Sequence, residues 1–155
     1  MKTFLKYALA VMVLACTARA DKPNFTGEWS LNAEKSNLGP MPPPTSMTRK
    51  VDHTDPAFTM TQATVGSPQG DQTFTLKCTT DGKESTNEMM GAAAKTTAKW
   101  EGDALVISMK IDFQGTEINL TEKWTLASDG KTLTDNSHIA LPQGEIDIVY
   151  VMNKK

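Results

Sequence analysis

The chain has almost no cysteine: two in 155 residues, Cys16 and Cys78. A single thiol beyond residue 20 excludes an intramolecular disulfide there, and a zinc site built on paired cysteines with it. Arginine occurs only at Arg19 and Arg49, histidine only at His53 and His138. A metal centre needs three or four convergent ligands, and so few histidines do not point to one. The apolar run from Tyr7 to Ala15 is too short to span a bilayer, and no later run could. No glycine-rich phosphate loop follows a strand-like segment. No cofactor or metal is expected. Positive charge is also in short supply. Setting aside Lys2, Lys6 and Arg19 leaves 13 basic residues against 18 acidic ones, a formal charge of −5. A nucleic acid is therefore not an expected partner, because affinity for phosphate comes from clustered Lys and Arg.

The first twenty residues read as a targeting segment. Lys2 and Lys6 precede the apolar run, and Ala18-Arg19-Ala20 is a small-x-small cleavage site followed by Asp21. This pattern predicts a signal peptide over 1–20 and a periplasmic or secreted protein. Val13-Leu14-Ala15-Cys16 also resembles a lipobox, which would make Cys16 a lipid anchor and the protein an outer-membrane lipoprotein. Cleavage after Ala20 is the cleaner fit. The remaining residues, 21–155, suffice for one domain with a single core.

What is abundant is alternation. Phe74, Leu76 and Cys78 share one face of their segment, as do Leu105, Ile107, Met109 and Ile111. Ile118, Leu120, Trp124 and Leu126 follow the same period, and so do Ile146, Ile148, Tyr150 and Met152. A period of two marks half-buried antiparallel strands. Asp81-Gly82, Gly102-Asp103, Gln114-Gly115, Asp129-Gly130 and Gln143-Gly144 punctuate these runs. Ten candidate strands result: about 25–32, 46–53, 57–64, 71–79, 84–90, 95–100, 104–111, 116–126, 131–139 and 145–152. A meander of this length closes on itself to remove its edges. The expected fold is all-β, an antiparallel up-and-down barrel of about 8–10 strands. Residues 32 to 45 are the exception. Asn32 can cap at most one short helical turn, Gly39 can end it, and Pro40, Pro42, Pro43 and Pro44 then impose an extended connector.

Phe25-Thr-Gly-Glu-Trp-Ser-Leu31 resembles the opening strand of the calycins, the lipocalin and fatty-acid-binding-protein superfamily. Trp100 to Val106, Glu117 to Trp124, Asp129 to Leu133 and Val149-Tyr150 are similar, in order, to the second half of fatty-acid-binding proteins. The whole resembles a small secreted bacterial protein of the lipocalin-like kind. The resemblance implies a ten-stranded barrel around a cavity for a hydrophobic small molecule. It also implies departures. The helical lid is reduced to a short proline-rich segment. The Arg-x-Tyr that holds a ligand carboxylate is Ile148-x-Tyr150, and no arginine stands near Trp124 in sequence. The usual fatty-acid clamp is thus expected to be missing.

The candidate ligand-binding residues are Arg49, Met60, Phe74, Met109, Glu122, Trp124 and Tyr150. Alternation groups Arg49 with Met47 and Val51, where its planar fork could anchor an anion. The base expectation for a lone arginine is nonetheless the surface, and that reading is favoured. Glu122 alternates with Leu120 and Trp124, either as a buried carboxylate or turned outward by a bulge. Met60, Met109, Met152, Phe74, Trp124 and Tyr150 line a cavity if the barrel is hollow and form its core if it is solid. Trp29 and Phe25 are expected to close one end. Cys78 reads as a small buried hydrophobe, and Asp55-Pro56 as a turn beside His53. No acid, base and nucleophile cluster is visible, so an enzyme is the least favoured function. An exported carrier of a hydrophobic small molecule leads. An envelope structural or protein-interaction module with a solid core is the alternative.

Overall fold

The structure, a computed structural model, describes residues 21–155. The proposed signal peptide and Cys16 lie outside the described residues. Ten strands follow one another: β1 (Gly27–Leu31), β2 (Ser46–Thr54), β3 (Ala57–Ser67), β4 (Gly70–Thr79), β5 (Ser85–Met89), β6 (Ala92–Glu101), β7 (Ala104–Phe113), β8 (Thr116–Leu126), β9 (Thr132–Leu141) and β10 (Gly144–Lys154). Every expected strand is present. β1 pairs antiparallel with both β2 and β10, so the first strand joins the two ends of the chain. All ten strands form one antiparallel sheet ordered β4-β3-β2-β1-β10-β9-β8-β7-β6-β5. The expected all-β barrel is observed.

Period-two alternation becomes burial. In β2, Met47, Arg49, Val51 and His53 face inward, and exposed or half-buried residues separate them. The lower half of the barrel is filled by Phe25, Trp29, Phe58, Met60, Leu105 and Trp124, all within 1% of full burial. Trp29 donates its indole N–H to the carbonyl of Phe25 at 2.9 Å, satisfying the one polar atom that its burial would strand. These residues are adjacent to the short connections after β2, β4, β6 and β8, which mark the closed end. The opposite end carries the long β1–β2 segment and the turns after β3, β5, β7 and β9.

That β1–β2 segment forms no helix. Asn32 caps a single turn, its Oδ1 accepting the Lys35 N–H at 3.2 Å. Asn37 then exchanges two backbone hydrogen bonds with Val149, at 2.7 and 2.8 Å. The proline stretch is thereby tied across the mouth to β10, and most of it is exposed. A bulge at the end of β3 bends the wall beside it. Gly66 occupies the left-handed region there, at φ 68°, and a side chain would meet Thr45.

Closure is incomplete between β4 and β5, which share no backbone ladder. A side chain substitutes for the missing strand contact. Lys77 N–H donates to Asn87 Oδ1 at 2.8 Å, and Asn87 Nδ2 donates back to Lys77 C=O at 3.1 Å. Ser85 Oγ donates to the same carbonyl at 3.0 Å. The carboxamide of Asn87 therefore acts as one peptide unit of an absent rung. Towards the mouth, beyond Asn87, the two strands diverge and leave a cleft of about 790 Å³ flanked by Phe74 and Met89. Replacing Asn87 by Ala should cost about 1 kcal/mol of stability, the worth of its hydrogen bonds. Hydrogen exchange should then accelerate at β4 and β5 amides and not at β8 or β9. Unchanged exchange at Lys77 would show that the side-chain rung carries no load.

Candidate functional site: a charged layer inside the barrel

Above the aromatic floor, charged side chains meet inside the wall. Arg49 is 2% exposed, Glu122 4% and Asp135 0%. The surface expectation for Arg49 is overturned. The same alternation that buries Met47 and Val51 carries it inward, and a carboxylate meets it there. Arg49 Nη1 donates to Asp135 Oδ2 at 2.8 Å across the lumen. Its Nε donates to Gln62 Oε1, on the neighbouring strand, at 2.7 Å. Its guanidinium carbon lies 4.9 Å from the ring centre of Trp124 and 5.2 Å from that of Tyr150. Two aromatic faces and two acceptors thus replace the water that the cation loses.

The carboxylates are held from β8 and β9. Glu122 keeps strict alternation with Trp124, with no bulge, and the Trp124 indole N–H donates to Glu122 Oε2 at 3.1 Å. Asp135 accepts a second bond, from Ser137 Oγ at 3.1 Å. The strand register explains the gathering: Trp124 stands opposite Asp135, Glu122 opposite Ser137, and Tyr150 opposite Asp135.

One cation thus faces two carboxyl groups. Burial raises the pKa of Glu122, the negative charge of Asp135 raises it further, and Arg49 and Trp124 oppose them only in part. The result is a carboxyl pushed up to about 7. Burial also pushes Asp135 upward, against Arg49 and Ser137. For Arg49, burial alone would lower the pKa, but Asp135 and Glu122 outweigh it and the net direction is up. Asp135 is the carboxyl in direct contact with the guanidinium, and Glu122 is held by the Trp124 indole instead.

A cavity of about 130 Å³ lies against this layer, walled on its apolar side by Phe74, Met89, Leu120 and Ile139. Of the residues expected to bind a ligand, Arg49, Phe74, Glu122 and Tyr150 border it. Met60, Met109 and Trp124 do not; they are packed in the core, and Trp124 instead supports the two charged groups from below. Met152, also expected as lining, is core as well. No arginine stands near Trp124 in sequence, yet one reaches its ring in space. It arrives from β2, a strand remote in sequence.

Asp135, Gln62 and Ser137 were missed, although each lies in phase with apolar neighbours. Asp135 and Ser137 alternate with Leu133 and Ile139, and Gln62 with Phe58 and Met60. A carboxylate on the apolar face of a strand was the available signal.

The second cluster, at the closed end, is structural. His53 Nδ1 accepts the Phe25 N–H at 3.3 Å, and its ring packs on Phe25, Phe58 and Trp100. Burial lowers its pKa against the opposing pull of Asp55. Asp55 accepts from Trp100 Nε1 at 3.0 Å and from the Thr80 hydroxyl. Cys78 is buried, and burial with nearby Glu122 pushes its thiol up to about 11, the behaviour of an inert hydrophobe. His138 is on the outside, bonded to Asp147 at 2.7 Å.

No protein-family model matches the chain, and no curated protein does. Solved structures match throughout the barrel. Zebrafish ileal bile acid-binding protein, solved with cholic acid, superposes with a TM-score of 0.60 at 20% identity, covering 84% of this chain and 98% of that one. A secretory abundant heat soluble protein from Ramazzottius varieornatus gives 0.60 at 10% identity, covering 88% and 98%. The fluorescent protein UnaG gives 0.51 at 18% identity, covering 84% and 97%. The shared fold is a ten-stranded antiparallel β-barrel. At these identities the likeness establishes architecture alone. The buried charged layer is read from this chain's own residues.

The layer sets a pH signature. A carboxyl raised in the folded state binds its proton more tightly than in the unfolded chain. Its contribution to stability is full below the ordinary value of 4.5 and lost as pH rises through about 7. His53, lowered by burial, works in the opposite direction below its ordinary 6.5. The difference between wild type and Glu122→Gln isolates the carboxyl. Relative to the variant, wild type should lose up to ~3 kcal/mol between about pH 4.5 and 7.5. Urea unfolding across that range measures it, and parallel curves would place Glu122 outside the buried layer.

Proposed function

We propose that this protein is an exported carrier of a small amphipathic molecule, held in the mouth half of the barrel. One observation carries the reading. The 130 Å³ cavity has a polar floor and apolar walls, and it shares Phe74 and Met89 with the 790 Å³ cleft that opens through the β4–β5 gap. A ligand could set its head on the buried layer and run its body out between the strands. Apolar contact would supply ~25 cal/mol per Å² buried, and the polar groups would set orientation. Met41, Val65 and Met90, the large hydrophobic side chains exposed among the described residues, all lie at the mouth end, as an entry rim would require. The solved complex of a bile acid-binding barrel with cholic acid supports the reading at the level of fold.

The same geometry argues against a fatty-acid site. Arg49 is already paired, so a ligand carboxylate would enter as a further anion beside Asp135. A second reading, an interaction module of the cell envelope, is favoured by the solid lower half of the barrel.

The two readings separate in a titration. An environment-sensitive apolar dye should bind with a Kd in the micromolar range or weaker, ~−8 kcal/mol at most. Leu120→Trp, which fills the upper cavity, should weaken it tenfold or more while leaving the thermal midpoint within a few degrees. Absence of any dye binding by the wild type would favour the solid module. Export has its own test: intact mass of protein recovered from its host should begin at Asp21, outside the cytoplasm. A lipid-modified Cys16 in the membrane fraction would replace the soluble carrier by a lipoprotein.

A further inference from the structure

The polar layer holds an uneven set of charges. Arg49 is committed to Asp135 and Gln62. Glu122 receives one protein hydrogen bond, from Trp124 to Oε2, and among the described residues no donor reaches Oε1. Glu122 nevertheless borders the cavity, as does Tyr150, whose hydroxyl has no protein partner among the described residues. The cavity therefore presents an unshared carboxylate oxygen and a free phenol beside a neutralised arginine.

We propose that this layer receives the head of a cationic amphiphile, an alkylamine, with Glu122 as its ion-pair and hydrogen-bond partner. The inference rests on the carrier reading and narrows it to a ligand class. With Glu122 ionised, the buried layer carries one positive and two negative charges. An ammonium head completes a second ion pair and donates to Glu122 Oε1, and Tyr150 can accept a further N–H. A carboxylate head would add a third anion, and an alcohol would supply one hydrogen bond and no charge.

Uptake is then linked to protons. The groups facing Glu122 are Arg49 from β2, the neutral Cys78 thiol from β4, Asp135 from β9 and Tyr150 from β10. The inward residues of β6 and β7 beside it, Thr96, Ala98, Ile107 and Met109, do not titrate. Asp135 is bonded directly to Arg49 and Glu122 is not, so Glu122 is the carboxyl open to the ligand: the amine is held when Glu122 is ionised and released when it is protonated. By reciprocity, a bound amine must lower the pKa of Glu122.

The experiment compares octylamine, octanol and octanoate, each displacing the apolar dye from wild type and from Glu122→Gln. At about pH 8.5 the amine should bind wild type tenfold or more tightly than the alcohol, and octanoate no better than the alcohol. Between about pH 8.5 and 5.5 amine affinity should fall tenfold or more, while alcohol affinity changes less than about twofold. Glu122→Gln keeps an oxygen for the Trp124 N–H and should level amine with alcohol. If that variant does not fold, carboxyl-labelled NMR of wild type decides: octylamine should lower the Glu122 titration midpoint and octanol should not. Amine and alcohol binding equally to wild type overturns this inference and leaves the carrier standing. Octanoate binding best also overturns it and makes Arg49 the anchor. Failure of dye and all three ligands to bind removes the carrier reading itself.

Discussion

The ion pair between Arg49 and Asp135 is the interaction around which the interior is arranged. A guanidinium cannot be buried unless a carboxylate and acceptors replace its water. β2 supplies the cation, β9 the anion and β3 the second acceptor. β8 and β10 supply the aromatic faces on which the guanidinium lies. Five strands are therefore tied at one level. Below it the barrel is packed with aromatic and aliphatic side chains. Above it the wall is looser and leaves a cavity. The question of a hollow or a solid barrel thus has a divided answer: this chain is solid below its charged layer and open above it.

The second constraint is the gap between β4 and β5. Full closure would have needed a backbone ladder on both sides of every strand. Here one asparagine carboxamide and one serine hydroxyl bridge the seam near the closed end, and the strands separate beyond them. The proline segment, pinned to Val149 through Asn37, covers part of the mouth and leaves the seam uncovered. The cleft and the cavity above the charged layer are consequently neighbours, and Phe74 and Met89 line both. Neither alone would suggest an amphipathic ligand; their adjacency does.

The strands, their order and the inward parity of most residues were legible because alternation is a local property with a period of two. Glu122 was half legible, since alternation pointed it inward but a bulge would have turned it out, and Asp135 and Gln62 would have been legible had polar residues been tracked along the apolar faces. Arg49 resisted, because the general rule that arginines lie outside is statistical, and only a partner overrides it. The core methionines were legible as inward but not as core rather than lining. That distinction depends on how high each stands in the barrel.

By itself, then, the sequence determined a ten-stranded antiparallel barrel, its turns, the absence of a helical lid and most of the apolar side chains that point inward. Each of these follows from neighbours a few residues apart. The tertiary structure decided which inward residues meet. Arg49 and Asp135 are 86 positions apart in the chain, and only closure through β1 and β10 brings them to 2.8 Å. A buried charge depends on its partner rather than on its own strand. The chemistry of the site was therefore settled by the way the sheet curls and not by any local pattern.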